Sequence, residues 1–216
     1  ASDKRKAVAA AIAAAGALAV SNGAIAGTDL GTNDAVNIAP NNVPNPTAGR
    51  EAVAVGPNAT ASHQHSIAIG RNATAKWTNT ISIGKDTVAS KDHALAMATS
   101  ATALGVQSVG IGSYSNASAD SAVALGQNAK AGGEVPAGAD KGTGTAAVAV
   151  GLNANASAAN TVATGKNAAA SVDNAVAVGV QSNASGRSAT ALGGYSAASA
   201  ERATAVGAAS KATLDE

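Results

Sequence analysis

A small residue returns every 14 positions along most of this chain, and an alanine always follows it five places later. The anchors are Gly56, Gly70, Gly84, Ala98, Gly112 and Gly126. After one skip of 25 residues they resume at Gly151, Gly165, Gly179, Gly193 and Gly207. The alanines are Ala61, Ala75, Ala89, Ala103, Ala117, Ala131, Ala156, Ala170, Ala184, Ala198 and Ala212, so 11 anchors of 11 obey the rule. A fixed short period sets the architecture, because each unit buries its apolar face only by stacking on its neighbours. It also shapes function, since identical units offer a ladder of equivalent surfaces and rarely a unique cleft.

Counting the anchor as position zero, the three preceding residues read Val53-Ala54-Val55, Ile67-Ala68-Ile69, Ile81-Ser82-Ile83, Leu95-Ala96-Met97 or Val123-Ala124-Leu125. Large aliphatics alternate with tiny residues, a period of two that means strand. A weaker alternation of small residues follows the anchor, as in Asn72-Ala73-Thr74-Ala75. Asn at plus two (Asn58, Asn72, Asn128, Asn153, Asn167) suits a sharp corner after glycine, because both residues reach positive φ cheaply. Each unit therefore reads as strand, turn, strand, loop. Helix is the rival, since alanine favours it. It loses because a glycine in every unit costs about 1 kcal/mol in a helix interior, and the aliphatics do not follow a 3.6-residue period. The prediction is an all-β parallel solenoid of about eleven 14-residue coils, each advancing about 4.8 Å.

Such coils are thin. Each is expected to bury two medium aliphatics plus alanines, at roughly 1.5–3 kcal/mol per large side chain. Ordering the chain costs about 1.5 kcal/mol per residue, and there is no Phe to add bulk. The opposite strand face carries Ala54, Ala68, Ser82, Ala96, Ala124, Ala149 and Ala177. A strip of such small side chains lets another backbone approach closely, so it is expected to pack against partner chains; a plain solvated face is the alternative.

Net charge is +1, with 12% charged residues, which argues against a nucleic-acid partner. The sequence contains no Cys, which removes disulfides, thiolate metal sites and cysteine nucleophiles. No catalytic constellation stands out, and neither a cofactor nor a metal is expected. His65 and His93 hold the same unit position two coils apart, about 10 Å by strand spacing, too far for one metal; His63 flanks the same loop as His65. Five N-x-S/T triplets, at Asn58, Asn72, Asn116, Asn155 and Asn183, arise from the repeat itself. Trp77, Tyr114 and Tyr195 are the only aromatics. Each is either a recognition anchor or the filler of a local gap.

Residues 1–49 form a separate N-terminal segment. Lys4-Arg5-Lys6 followed by the apolar run Ala7–Val20 has the order of a secretory signal. A short Ala-rich helix and a degenerate first coil around Leu18-Ala19-Val20 are the other readings. Val36-Asn37-Ile38-Ala39 reads as one more broken coil inside an irregular, proline-containing connection. The repeat domain spans 50–216, with an inserted loop at 133–146 containing Glu134, Asp140 and Lys141. Insertions in repeat proteins often map to the binding face, so these three join the candidate ligand contacts; a tolerated surface loop is the bland alternative.

The copies His65-Ser66-Ile67-Ala68-Ile69-Gly70, Gln107-Ser108-Val109-Gly110-Ile111-Gly112 and Asn174-Ala175-Val176-Ala177-Val178-Gly179 resemble the YadA-like head repeats of trimeric autotransporter adhesins. The likeness covers about residues 50 to 213. It implies a left-handed parallel β-roll, a homotrimer, and display on the outer membrane of a Gram-negative cell. It implies a non-enzymatic function, attachment to collagen, fibronectin, laminin or the host cell surface. Asn174, Ala177, Val178 and Gly179 match positions that the family associates with collagen binding, although most copies here replace the leading Asn. No heptad stalk or membrane-anchoring strand appears in the sequence, so contact with a membrane is expected only through a C-terminal anchor outside it. The other function that fits is a passive rod or fibre segment without a ligand of its own.

Overall fold

The computed structural model describes residues 36–38, 47–133 and 142–213. These build an all-β parallel solenoid from two sheets of 12 strands each, with the strands of each sheet in sequence order. The first sheet takes the three-residue strands before each anchor and the second takes the two-residue strands after it. Register follows the period: Val53 pairs with Ile67, Ala54 with Ala68 and Val55 with Ile69. It continues across the skip, where Val123 pairs with Val148 and Lys130 with Asn155. The register therefore continues unshifted across the insertion.

The roll begins earlier than residue 50. Val36–Ile38 pairs with Val53–Val55, and Thr47–Ala48 pairs with Thr60–Ala61, so the expected domain boundary cuts through the first rung. The signal, helix and first-coil readings of residues 1–26 lie outside the described residues.

The segment expected to be a loop is a second β-turn. The amide at plus three donates to the carbonyl at zero, as Ala59 to Gly56 at 3.1 Å, and the amide at plus ten donates to plus seven, as Ser66 to His63 at 3.3 Å. The third residue of each turn has φ near +55 to +61° in Asn58, His65, Asn72, Asn79, Asp86 and His93, every seventh residue. Each coil is thus two similar halves. Buried hydroxyls close these turns by donating to the carbonyl three residues back: Thr80 to Trp77 at 2.6 Å, Thr87 to Gly84 at 2.9 Å, Ser108 to Gly105 at 2.8 Å and Thr161 to Ala158 at 2.7 Å. That is how the interior accepts Ser and Thr without orphaned groups. The Ser115 hydroxyl is the exception among the described side chains, buried with no partner.

The side-chain facing is the reverse of the expectation. The core consists of alanines: Ala52, Ala54, Ala59 and Ala61 are at most 1% exposed, and the pattern repeats along the roll. The aliphatics flanking each inward alanine are half-buried or exposed on the outer face of the first sheet. The expected interface strip, Ala54, Ala68, Ser82, Ala96, Ala124, Ala149 and Ala177, is fully buried within the single chain and cannot meet a partner. The interior has room for a methyl and little more. Even at Gly110, which replaces an inward alanine, an added Cβ would lie 2.4 Å from the Thr102 carbonyl oxygen.

The anchor row carries the remaining constraint. Gly84 has φ +133°, and a Cβ there would meet the backbone of Ala98 at 2.8 Å. Ala98 itself holds φ 88° where its row neighbours are glycine. A non-glycine residue in this region costs about 1–3 kcal/mol, partly offset by the greater freedom of an unfolded glycine. Ala98→Gly is therefore expected to stabilise the roll by about 1 kcal/mol, measured as a higher denaturant midpoint at unchanged slope.

Candidate functional site

The described residues present three surfaces on which a ligand or partner could act. The first is the outer face of the long-strand sheet. Two aliphatic columns run along it, Val53-Ile67-Ile81-Leu95-Val109-Val123 and Val55-Ile69-Ile83-Met97-Ile111-Leu125, and both continue past the skip from Val148 and Val150. Thr164, Thr190 and Thr204 interrupt them. Exposure rises toward the far end, with Leu192 at 45% and Val206 at 64%.

The second surface is the edge formed by the second turns. Near its beginning Glu51 accepts from Gln64 at 2.7 Å and pairs with His65 Nε2 at 2.7 Å. The Gln64 hydrogen bond, helped by His65 and Arg50, holds the Glu51 carboxyl below the usual carboxylate range. His63 stacks on Trp77 with ring centroids 5.3 Å apart, and Lys91 Nζ lies 5.5 Å from the same ring. These three occupy one position in successive coils. Further along, Asp92, Asp120 and Asp173 each accept the backbone amide of the equivalent residue one coil earlier, at 3.1, 2.8 and 3.1 Å.

A pH effect follows from Glu51. Its lowered pKa stabilises the fold above the unfolded carboxylate pKa, and that contribution disappears as pH falls through the folded value. Glu51→Gln is expected to lose less melting temperature than the parent between neutral pH and about pH 3, checked by thermal melts across that range.

The third surface is the edge formed by the anchor turns. Asn58 donates to Asn72 at 3.1 Å, Asn72 to Asp86 at 2.6 Å and Asn153 to Asn167 at 3.1 Å. An open depression of about 430 Å³ lies on this edge between Asn128, Lys130, Asn153 and Asn155.

The residues singled out for ligand contact do not converge. Asn174 is exposed on a second turn with φ 60°, where its side chain accepts from Asn160 at 3.3 Å. Val178 is half-buried on the aliphatic face. Ala177 is fully buried and out of reach of any ligand. Gly179 meets a backbone requirement, with φ +134° and a Cβ position 2.4 Å from the Gly193 carbonyl oxygen. Glu134, Asp140 and Lys141 lie outside the described residues. Two features escaped the sequence reading: the outward aliphatic columns and the seven-residue spacing of left-handed turn residues.

The model of the YadA head domain repeat matches residues 48–73, 103–129, 143–168, 170–196 and 198–215, more than half of the chain. This chain belongs to the YadA-like head domains of trimeric autotransporter adhesins. No curated protein matches it at a significant level. The family bears out the resemblance drawn from the three quoted copies, and membership implies an adhesin-type function rather than an enzymatic one. The matched stretches fall on both sides of the insertion, so the head repeats are continuous in structure where they are interrupted in sequence.

Proposed function

We propose that this head assembles as a homotrimer, with the long-strand sheet of each chain facing the common axis. The observation that carries the reading is the pair of aliphatic columns left half-exposed by the isolated chain. A contiguous apolar strip running the length of the roll marks an interaction surface. It repeats rung by rung, so identical chains can lie against it in register. The aliphatic columns replace the small-residue strip as the interface.

The assembled left-handed roll stands on a Gram-negative cell surface and attaches the cell to host extracellular matrix or host cells. Equivalent sites on successive coils and on three chains bind together, so weak contacts gain strength through effective concentration. No part of this reading calls for nucleic acid or a cofactor. The head is expected to sediment as a trimer and to bind immobilised collagen, fibronectin, laminin or epithelial cells in a surface assay. A trimer that binds none of them would favour the passive rod, and a well-folded monomer would remove the assembly on which multivalency depends.

A further inference from the structure

The anchor-turn edge changes character along the roll. From Gly112 onward its plus-two row reads Tyr114, Asn128, Asn153, Asn167, Gln181, Tyr195, all at left-handed φ between 54° and 61°. Strand pairing keeps these six coils consecutive, through Asn116, Lys130, Asn155, Ala169, Asn183 and Ala197. Two tyrosines about 24 Å apart, five rungs of about 4.8 Å, thus bracket a run of four amides.

The tyrosines are the informative members. Tyr114 is 58% exposed and Tyr195 is 63% exposed, so neither ring fills a gap in the fold. Each also sits at φ 61°, a region that favours Asn, Asp and Gly over bulky residues. A strained aromatic that turns most of its surface to solvent calls for a use outside the fold. Charge is segregated as well. The anchor-turn segments 112–117, 126–131, 151–156, 165–170, 179–184 and 193–198 contain Lys130 and Lys166, both exposed, and no Asp or Glu. Among the described residues, the acids of the same coils, Asp120, Asp173 and Glu201, belong to the opposite edge. The depression at Asn128, Lys130, Asn153 and Asn155 lies beside Tyr114.

We infer that this ridge binds a linear anionic glycan of the glycosaminoglycan type. Side-chain amides offer paired donors and acceptors to ring hydroxyls. Exposed tyrosine rings present flat apolar faces with a polar tip, suited to the apolar face of a pyranose ring. Lys130 and Lys166 supply the charge partners for carboxylate or sulfate groups. The rung spacing is comparable to the length of one sugar unit, so a linear chain can place successive residues on successive coils. Lys130, Asn155 and Asn183 lie on the outer side of the short-strand sheet, away from the aliphatic columns that the assembly covers.

This inference rests on the adhesive reading and names its ligand class. The test measures binding of the assembled head to immobilised heparin and hyaluronan fragments, with dextran as the neutral control and collagen, fibronectin and laminin in parallel. Binding to heparin or hyaluronan and not to dextran is expected, and it weakens as salt is raised. Tyr114→Ser with Tyr195→Ser, and separately Lys130→Gln with Lys166→Gln, are each expected to weaken it by about tenfold or more. Lys91→Gln on the opposite edge should leave it unchanged. Tyr114, Tyr195, Lys130 and Lys166 are exposed and Lys91 is half-buried, and an unchanged melting temperature of each variant verifies folding. Equal binding to dextran, or anionic-glycan binding that survives both double variants, overturns the ridge. Binding to matrix proteins without glycan binding also overturns it and leaves the adhesive reading standing. Absence of binding to every one of these surfaces and to epithelial cells sinks both.

Discussion

Ala124→Arg is expected to unfold the roll outright. The Ala124 methyl is fully buried between the two sheets of a single chain. Overpacking a tight core costs about 1–3 kcal/mol, and an unpaired buried charge adds several more. The combined loss, above about 4 kcal/mol, is of the exceptional size that follows a named core defect. The parallel strands Val109–Ile111 and Val148–Val150 on either side would lose their register partner. Circular dichroism and a denaturation curve decide the matter. Loss of the β signal, or a midpoint shifted to far lower denaturant, is the expected result. A variant that kept its β signal and merely became monomeric would place Ala124 at a chain–chain contact after all.

The second large effect concerns the aliphatic columns. Ile83, Met97 and Ile111 lie side by side in one of them. Ile83→Asp, Met97→Lys and Ile111→Asp together should dissociate the trimer while leaving each chain folded. Their side chains are half-exposed in the single chain, so a polar replacement costs a lone chain little. The alternating signs also avoid like charges on neighbouring strands. In the assembly each aliphatic would contribute on the order of 1 kcal/mol of further burial, and each charge would instead have to lose its water, at several kcal/mol per ion. Sedimentation is expected to give the mass of one chain, with the parent β spectrum retained. A variant that still sediments as a trimer would move the interface away from this face.

The two variants separate what the alternation in Val123-Ala124-Leu125 could and could not say. A period of two sorts side chains onto two faces of a strand. It carries no sign: nothing in the triplet states which face looks inward. The usual preference for large aliphatics in a core pointed the wrong way. Alanine won because the two sheets approach so closely that only the smallest side chains, alanine and here and there serine, fit between them.

The second turn was hidden for a different reason. Its left-handed position is filled by His65, Asn79, His93, Gln107, Ser121, Asn160, Asn174, Ser188 or Arg202 along with others. Several polar residues are tolerated there once the surrounding hydrogen bonds fix the backbone, so no one residue type repeated strongly enough to mark it. The anchor turn was legible because its row is glycine at every anchor but Ala98, and glycine there serves both the positive φ and the stacking of one coil on the next. Asn174 illustrates the consequence for the site. It matched a binding motif by identity, yet it occupies a turn position where asparagine also satisfies the backbone. The ridge from Tyr114 to Tyr195 needed the reverse inference, from residues that satisfy the backbone poorly.

By itself the sequence determined the period, the strand character of each unit, the parallel stacking and the family, since all of these are properties of spacing along the chain. Only the tertiary structure decided which face is core, where the second corner falls and which side chains share an edge. Those depend on the gap between two sheets, and that gap is set by the pair of tight turns at each end of the coil acting together.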